Sequence, residues 1–306
     1  MGRSADFSPM HQRMGECALN NRNQRSLIVG FLLPGIVLTV VGILLPLIYA
    51  VYMSFFKLES LVGEPKFVGL MNYYDTLTDT RFWMATYHGF VYSLTTIAFQ
   101  LVIGILFAII LNESFKGKAL LRGLVVIPYI LPTVVVALVW GWLMDGNVGL
   151  ITAILHSFGL PAIDWMSSPT IAMATLIFVS TWTWTPFVTV CFLAALQTVP
   201  EDLYGAARVD GTTAVQRFFY ITIPVVKPVL VVVVLLRGIW MFNKFDIVWL
   251  MTKGGPIEST EHIPALAYIK AFTLFDMGHG AAIATLGFIF LSLLVWLYLR
   301  LFPMED

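Results

Sequence analysis

Polar side chains interrupt the fifth of six long apolar stretches in this sequence, and the set is Arg237, Asn243, Lys244 and Asp246. Trp240 and Asn243 are three residues apart, so a helix places them on one face. An apolar ring that can pack on a sugar face, beside an amide that can bond hydroxyl groups, is suited to binding a carbohydrate. Packing in the protein core is the alternative role for each of these residues.

A second group of this kind lies in the fourth stretch, in the run Ser180-Thr-Trp-Thr-Trp-Thr-Pro186. Pro186 is expected to disturb a helix and to free a backbone carbonyl. In lipid, a free carbonyl is tolerated only where neighbouring groups or water satisfy it. We therefore predict a polar pathway through the protein, lined by Trp182, Trp184, Thr185, Arg237, Trp240, Asn243 and Asp246.

The composition requires a lipid environment. Hydrophobic residues make up 58% of the 306 positions and charged residues only 12%, and the mean hydropathy is +0.84. Soluble domains carry about a quarter charged residues, and a helix needs about 20 apolar residues to cross a bilayer. We predict an all-α membrane protein with six transmembrane helices, at roughly 27–56, 87–111, 119–144, 171–196, 221–250 and 279–301.

The Lys and Arg residues of the connecting segments predict the orientation. Eleven lie on the side of the N-terminal tail, 1–26, and five on the other side. Cytoplasmic segments carry the excess of positive charge, so both termini are expected in the cytoplasm, as an even number of spans requires. The formal net charge of zero gives no reason to expect a nucleic-acid partner.

Arg237 lies deepest among the polar residues of the fifth stretch. A charge near the bilayer centre costs about 2.5–3.5 kcal/mol on insertion scales, so Arg237 must face protein, water or another charge. A structural ion pair or an interface is the favoured interpretation. The alternative is that Arg237 faces a substrate cavity, where its planar guanidinium could pair with a phosphate or sulfonate. Lys244 and Asp246 lie near the outer end of the span, where solvation is an alternative for both.

The segment 199–224, between the fourth and fifth stretches, predicts two short helices joined by a turn. Gly211 can adopt the positive φ of the turn, and Thr213 and Gln216 have the spacing of a capping box. The second helix is expected to yield near Pro224. From these residues alone, an ordinary connecting loop is an equally good interpretation.

The spacing within this segment resembles the cytoplasmic motif of binding-protein-dependent ABC importer permeases. Ala206 and Ala207 are followed by three residues and Gly211, and nine more residues lead to Ile221-Thr-Ile-Pro224. Gly205 stands where the family usually has Glu, which puts one contact to the ATPase in doubt. Glu201, one helical turn earlier, offers a substitute carboxylate.

The resemblance implies a role for the segment and a set of partners. It would contain the coupling helix that docks on a cytoplasmic ATPase, and the docking residues would be Glu201, Gly205, Ala206, Ala207, Asp210 and Gly211. This chain has no G-x-x-x-x-G-K-[ST] loop for binding ATP. ATP and Mg would therefore bind to two copies of that ATPase, and no cofactor is expected on this chain. The other implied partners are a second homologous permease subunit and an extracytoplasmic solute-binding protein.

A second stretch, Phe245-Asp-Ile-Val-Trp-Leu-Met-Thr-Lys-Gly-Gly-Pro256, is similar to one found in the sugar-importer branch of this family. The resemblance covers roughly residues 27–302 and implies a multi-pass permease domain, 27–306, in a bacterial plasma (inner) membrane. It also implies import of a sugar or sugar derivative.

Two other classes of protein are alternatives. A secondary transporter or channel would also have polar residues within its spans, but such folds often contain internal repeats, and none is visible here. An intramembrane enzyme would need a nucleophile–base pair or a metal site, and neither H-E-x-x-H nor G-x-S-x-G occurs. We therefore predict no catalytic residue and no metal site.

Overall fold

The computed structural model describes residues 29–57, 64–161 and 163–303. The predicted tail, 1–26, lies outside these ranges. Two short strands, β1 (Phe56–Lys57) and β2 (Lys66–Phe67), pair antiparallel. The described residues are otherwise mainly helical, and the helices are α1 (Val29–Met53), α2 (Met71–Thr78), α3 (Thr80–Asn112), α4 (Lys118–Ile130), α5 (Thr133–Leu143), α6 (Leu150–Ser157), α7 (Pro169–Leu196), α8 (Glu201–Val209), α9 (Ala214–Phe242), α10 (Phe245–Met251), α11 (Ile263–Thr273) and α12 (Met277–Leu301).

Five of these helices are long and apolar enough to cross a membrane, and α4 with α5 makes a sixth span if the bent pair is counted as one. The predicted all-α class is therefore confirmed. The second span begins at Thr80 rather than at 87, and the fifth ends at Phe242 rather than at 250. The chain divides into two compact units, one of which contains α1 while the other begins at Ser54.

The third predicted span is broken into two helices. The axes of α4 and α5 differ by 97° across the break at Leu131 and Pro132. Pro132 holds Leu131 in an extended conformation, with ψ 134, because a residue before proline is excluded from the helical region. Pro128, one turn earlier, also lacks the backbone N–H of a normal helical residue. Two prolines this close end one helix and start another.

The long helices α3 and α7 pack closely along one another. Gly104 permits the approach, because a Cβ there would lie 2.8 Å from both Cβ and Cγ1 of Val188. Threonine hydroxyls on α7 bond backbone carbonyls of the same helix, as Thr183 does to Val179 at 2.7 Å. Contrary to expectation, Pro186 does not interrupt α7, which runs unbroken through it to Leu196.

The connection from α10 to α11 is fixed to the N-terminal end of α3 by charged groups. Arg81 donates from Nε and Nη2 to the two carboxylate oxygens of Glu261, at 2.8 and 2.7 Å. The Glu261 side chain is 3% exposed, and the Arg81 side chain is 30% exposed. Within this connection, the hydroxyls of Thr252 and Thr260 are 2.7 Å apart. Side-chain hydrogen bonds and an ion pair therefore hold the connection between α10 and α11 in a defined conformation.

The expected disruption at Pro224 is also absent. The helix that begins after Thr213 continues through Pro224 as α9, and its residues Phe218–Thr222 form a π-helical turn. A π turn leaves some backbone groups outside the regular α pattern, so a proline directly after it interrupts fewer hydrogen bonds. The second of the two predicted short helices is in fact the beginning of the fifth span.

Candidate substrate site and coupling surface

The Arg237 side chain lies within α9 and is buried, with 1% of its surface exposed. Its Nε donates to Oε1 of Gln100 on α3 at 2.8 Å. Its Nη2 is buried and has no hydrogen-bond partner among the described residues. Among the described residues, no carboxylate forms a salt bridge with Arg237. The structural ion pair favoured from the sequence is thus not found in this part of the chain.

The Gln100 amide is held on its other side by α7 and α9. Its Nε2 donates to the Ser180 carbonyl at 3.2 Å and contacts Sδ of Met241 at 3.8 Å. The hydroxyls of Ser180 and Tyr92 are 2.7 Å apart. Because the amide nitrogen faces Ser180, the amide oxygen faces the guanidinium. Three helices therefore supply one connected polar network in an apolar interior.

Three aromatic rings surround the guanidinium. Its Cζ lies 6.0 Å from the ring centroid of Trp184, 5.9 Å from Phe187 and 5.7 Å from Trp240. These distances are within the range of cation–π attraction. Trp184 is buried, whereas Trp240 is 41% exposed. The cluster therefore reaches the surface of this chain at Trp240.

A second cation lies just after the C-terminal end of α9. Nζ of Lys244 is 4.3 Å from the ring centroid of Trp184 and 3.0 Å from Oδ2 of Asp246. His262, which precedes α11, donates from Nε2 to the Lys244 carbonyl at 3.1 Å. Burial lowers the pKa of His262 to about 4, so this histidine is neutral near pH 7 and its Nε2 carries the proton. The break between α9 and α10 is fixed in this way.

The other predicted pathway residues do not join this cluster. Trp182 packs on Trp140 with ring centroids 5.3 Å apart. The Thr185 hydroxyl donates to the Thr181 carbonyl at 2.6 Å, within its own helix. Asn243 is exposed and donates to the Ile239 carbonyl at 3.2 Å. That Trp240 and Asn243 together form one binding face stays a prediction.

Four residues of the cluster were not predicted as site residues from the sequence, namely Tyr92, Gln100, Ser180 and Phe187. Gln100 carried a signal, because it is a lone amide in an otherwise apolar stretch, as Arg237 is a lone charge. The described residues contain no group of three or more His, Cys, Asp or Glu side chains that could hold a metal.

The short helix α8 and the turn after it form a second candidate site. Gly211 has a φ of +72° and ends the helix region, and Thr213 and Gln216 form the predicted capping box. The Thr212 hydroxyl donates to the Ala207 carbonyl at 2.7 Å. The hydroxyls of Tyr204 and Thr222 are 2.8 Å apart. These bonds connect α8 to the beginning of α9.

One face of α8 is open. Ala207 is buried against the protein, while Glu201, Gly205, Ala206, Asp210 and Gly211 are exposed. A Cβ added at Gly205 would meet no atom within 4 Å. Glu201 and Gly205 are four residues apart and therefore adjacent on that face. Val209 beside them is 88% exposed, so the surface offers both apolar and charged groups.

Comparison with known proteins places these features in a family. Residues 100–303 match the family described as binding-protein-dependent transport system inner membrane component. The chain is 36% identical over 269 residues to the trehalose/maltose transport system permease protein MalF of Thermococcus litoralis, covering 88% of this chain and 91% of that one. It is 33% identical over 283 residues to the sulfoquinovosyl glycerol transport system permease protein SmoG of Agrobacterium fabrum, covering 92% of each.

The fold agrees with a solved structure. A chain from the crystal structure of a bacterial ABC transporter involved in the import of the acidic polysaccharide alginate superposes with a TM-score of 0.82 at 20% identity. The match covers 93% of this chain and 97% of the other. The family of binding-protein-dependent permeases expected from the motif at Ala206 and Gly211 is therefore confirmed, and its members are transport components that lack a catalytic site of their own. The chain belongs to the family of binding-protein-dependent transport system inner membrane components, as a multi-pass subunit of an ABC importer.

Proposed function

We propose that this chain is the transmembrane subunit of an ATP-driven importer that takes up a sugar or sugar derivative delivered by a binding protein. The observation that carries the proposal is the buried polar cluster of Arg237 and Gln100, ringed by Trp184, Phe187 and Trp240. Aromatic faces pack on the C–H surfaces of sugars, and amide and guanidinium groups bond hydroxyls. Relatives named for trehalose/maltose and for sulfoquinovosyl glycerol support this substrate class.

The pathway would follow the space between α3, α7 and α9, with the predicted residues of α7 and α9 contributing as it opens. Trp182, Thr185 and Asn243 bond or pack within the chain here. They would line the pathway only if the helices separate. Asp246, which is paired with Lys244, would lie at its outer entrance.

The energy would come from partner chains. Two copies of a cytoplasmic ATPase, with their ATP and Mg, would work with this subunit and a second homologous permease. The open face of α8, with Glu201 and Gly205 at its centre, would enter a cleft on one ATPase. The buried Ala207 and the turn at Gly211 would keep that face in position. The permease domain would extend over 27–306 and the tail over 1–26.

The direct test of coupling uses two substitutions at one position. Gly205→Arg places a large cation on the open face without a clash inside the permease, and Gly205→Ala adds only a methyl group. In proteoliposomes containing the whole importer, Gly205→Arg should abolish uptake and substrate-stimulated ATP hydrolysis, while Gly205→Ala should keep both. Ala207→Arg should also abolish both. Normal uptake by Gly205→Arg and by Ala207→Arg would rule out α8 as the coupling surface.

Two further measurements test the partners and the orientation. The purified chain should bring a nucleotide-binding subunit and a second permease with it, whereas a channel or secondary transporter should purify alone. Tags at residues 10 and 304 should react only with reagents in the cytoplasm, and a tag at 155 only with external reagents. External labelling at 304 would refute the six-span topology with both termini inside.

A further inference from the structure

The Arg237 guanidinium is a fixed cation whose hydrogen-bonding capacity is only partly used by the protein. Its Nε is bonded to Gln100, while Nη2 is buried and unpartnered. Asp246, nine residues further along the chain, is paired with Lys244 instead. A desolvated charge without a counter-charge is costly in a membrane interior. A purely structural arginine would normally be paired, so the arrangement requires another explanation.

The network around Arg237 fixes which of its edges is free. Gln100 is fully buried and donates to the Ser180 carbonyl, so its oxygen is directed at Nε. The hydrogen bond between Tyr92 and Ser180 anchors the α7 end of this network. The guanidinium therefore cannot turn freely, and its terminal nitrogens remain the available donors. Two parallel donors on a rigid plane match the oxygens of a carboxylate, sulfonate or phosphate.

The surroundings favour an anion that is attached to an apolar ring. Trp184, Phe187 and Trp240 lie within 6.0 Å of the guanidinium carbon, and Trp240 is exposed. Nζ of Lys244 lies 4.3 Å from the ring centroid of Trp184, which adds a second positive group. The cluster of Arg237, Lys244 and Asp246 has a formal charge of +1. It thus combines positive charge with aromatic faces of the size of a sugar ring.

From this geometry we infer that the importer selects a carbohydrate that carries an anionic substituent, and that Arg237 determines this specificity by pairing with that substituent. The inference rests on the proposed function as a carbohydrate importer and specifies its substrate class. When the helices separate, Nη2 meets the anion while Nε keeps its bond to Gln100. The aromatic rings then contact the sugar ring beside the charged group.

The test compares sugars that carry either a neutral or an anionic group at C6. The complete importer, with its binding protein, is reconstituted in proteoliposomes and supplied with saturating methyl glucoside, methyl glucuronide or methyl 6-deoxy-6-sulfoglucoside. Maltotriose and a trisaccharide of uronic acids form a longer pair. The natural chain should transport the anionic member of at least one set ten or more times faster than its neutral counterpart. Rates are normalised to the amount of assembled complex.

Three variants separate recognition from folding. Arg237→Gln should lower anionic uptake at least tenfold and leave neutral uptake within twofold, while Arg237→Lys should keep a measurable part of the anionic preference. Lys227→Gln removes an exposed positive charge from the same helix and should behave as the natural chain. If Arg237→Gln does not assemble, the test is the preference for anionic over neutral sugars, measured in the natural chain and in Arg237→Lys.

The outcomes distinguish this inference from the function on which it rests. A natural chain that prefers the neutral sugars would overturn the anionic specificity but leave the carbohydrate importer intact. Equal loss of neutral and anionic uptake in both Arg237 variants would show that the residue is structural. If the reconstituted system transports only amino acids or metal ions, the carbohydrate function itself fails and the inference with it.

Discussion

Close packing of α3 on α7 at Gly104 predicts the outcome of a single methyl substitution. In Gly104→Ala, the new Cβ would lie 2.8 Å from Cβ and Cγ1 of Val188 and 3.3 Å from the backbone nitrogen of Thr189. Carbon atoms in favourable contact are about 3.5–4.0 Å apart. The two helices must therefore separate by several tenths of an ångström or more, because a β-branched valine has few alternative rotamers in a helix.

The magnitude follows from two opposing terms. Overpacking of a well-packed interior costs about 1–3 kcal/mol, while replacing glycine by alanine within a helix gains about 1 kcal/mol. Gly123, in the interior of α4, provides a matched control because a Cβ there meets no atom within 4 Å. Gly123→Ala should therefore show only the gain in helix stability, without an overpacking cost. The two alanine variants should consequently differ in stability by about 1–3 kcal/mol.

The assay is thermal unfolding of the purified complex in detergent, combined with uptake. Gly104→Ala should melt below Gly123→Ala, and its uptake should fall, because Gln100 lies one helical turn away and would move from the Ser180 carbonyl. Val188→Ala removes the contact with Cγ1 but keeps the one with Cβ, so it should restore part of the stability of Gly104→Ala. Equal melting temperatures for the two glycine variants, or no rescue by Val188→Ala, would refute the packing argument.

Three further predictions concern the charged connections and α8. Removing one partner from the Arg81–Glu261 pair, by Arg81→Gln or Glu261→Gln, should lower the free energy of unfolding by about 2 kcal/mol, because Glu261 is buried while Arg81 is partly exposed. The loss in the double variant should be clearly smaller than the sum of the two single losses. Strictly additive losses would contradict the coupling between the two residues. The pKa of His262 is lowered from 6.5 to about 4, so its contribution of roughly 3 kcal/mol to the free energy of unfolding is present above pH 6.5 and is lost as the pH falls toward 4. Between pH 7.5 and 5, the melting temperature of the natural chain should therefore drop more than that of His262→Gln. Melting temperatures that fall equally in both proteins would contradict this. Gly205→Glu restores the carboxylate usual in the family at an open position, so it should raise substrate-stimulated ATP hydrolysis, whereas a loss of stimulation would show that Glu201 already occupies that role.

The helical framework was largely predictable because it depends on local properties. Runs of about 20 apolar residues predict spans wherever they occur, and five long helices and one bent pair follow them. The departures concern prolines, whose effect depends on neighbouring structure. Pro132 breaks the third span by 97°, Pro186 leaves α7 intact, and Pro224 follows a π turn. The sequence contains the prolines but not the packing that decides between these outcomes.

The candidate site was predictable only in part, because its contacts join distant segments. Arg237, Trp184 and Trp240 could be selected as a lone charge and as aromatic residues in apolar stretches. The partner of Arg237, Gln100, is 137 residues away, and no periodicity links the two. Without that contact, a structural ion pair was the better explanation for Arg237. For Thr185 the residue type was suggestive, but its hydrogen bond is made within its own helix.

The two candidate sites are connected by one continuous element. The helix α9 begins at Ala214, directly after the turn that follows α8, and contains Arg237 near its C-terminal end. At 1.5 Å per residue, roughly 35 Å of helix separates these two positions. The bond between Tyr204 and Thr222 ties α8 to α9 at the π turn. A displacement of α8 by an ATPase would therefore be carried along α9 to Arg237, where the bond to Gln100 joins α9 to α3. On the proposed function, Arg237 would be buried in one conformation and presented to a substrate in another, since the helix that carries it is also the helix that the ATPase would move.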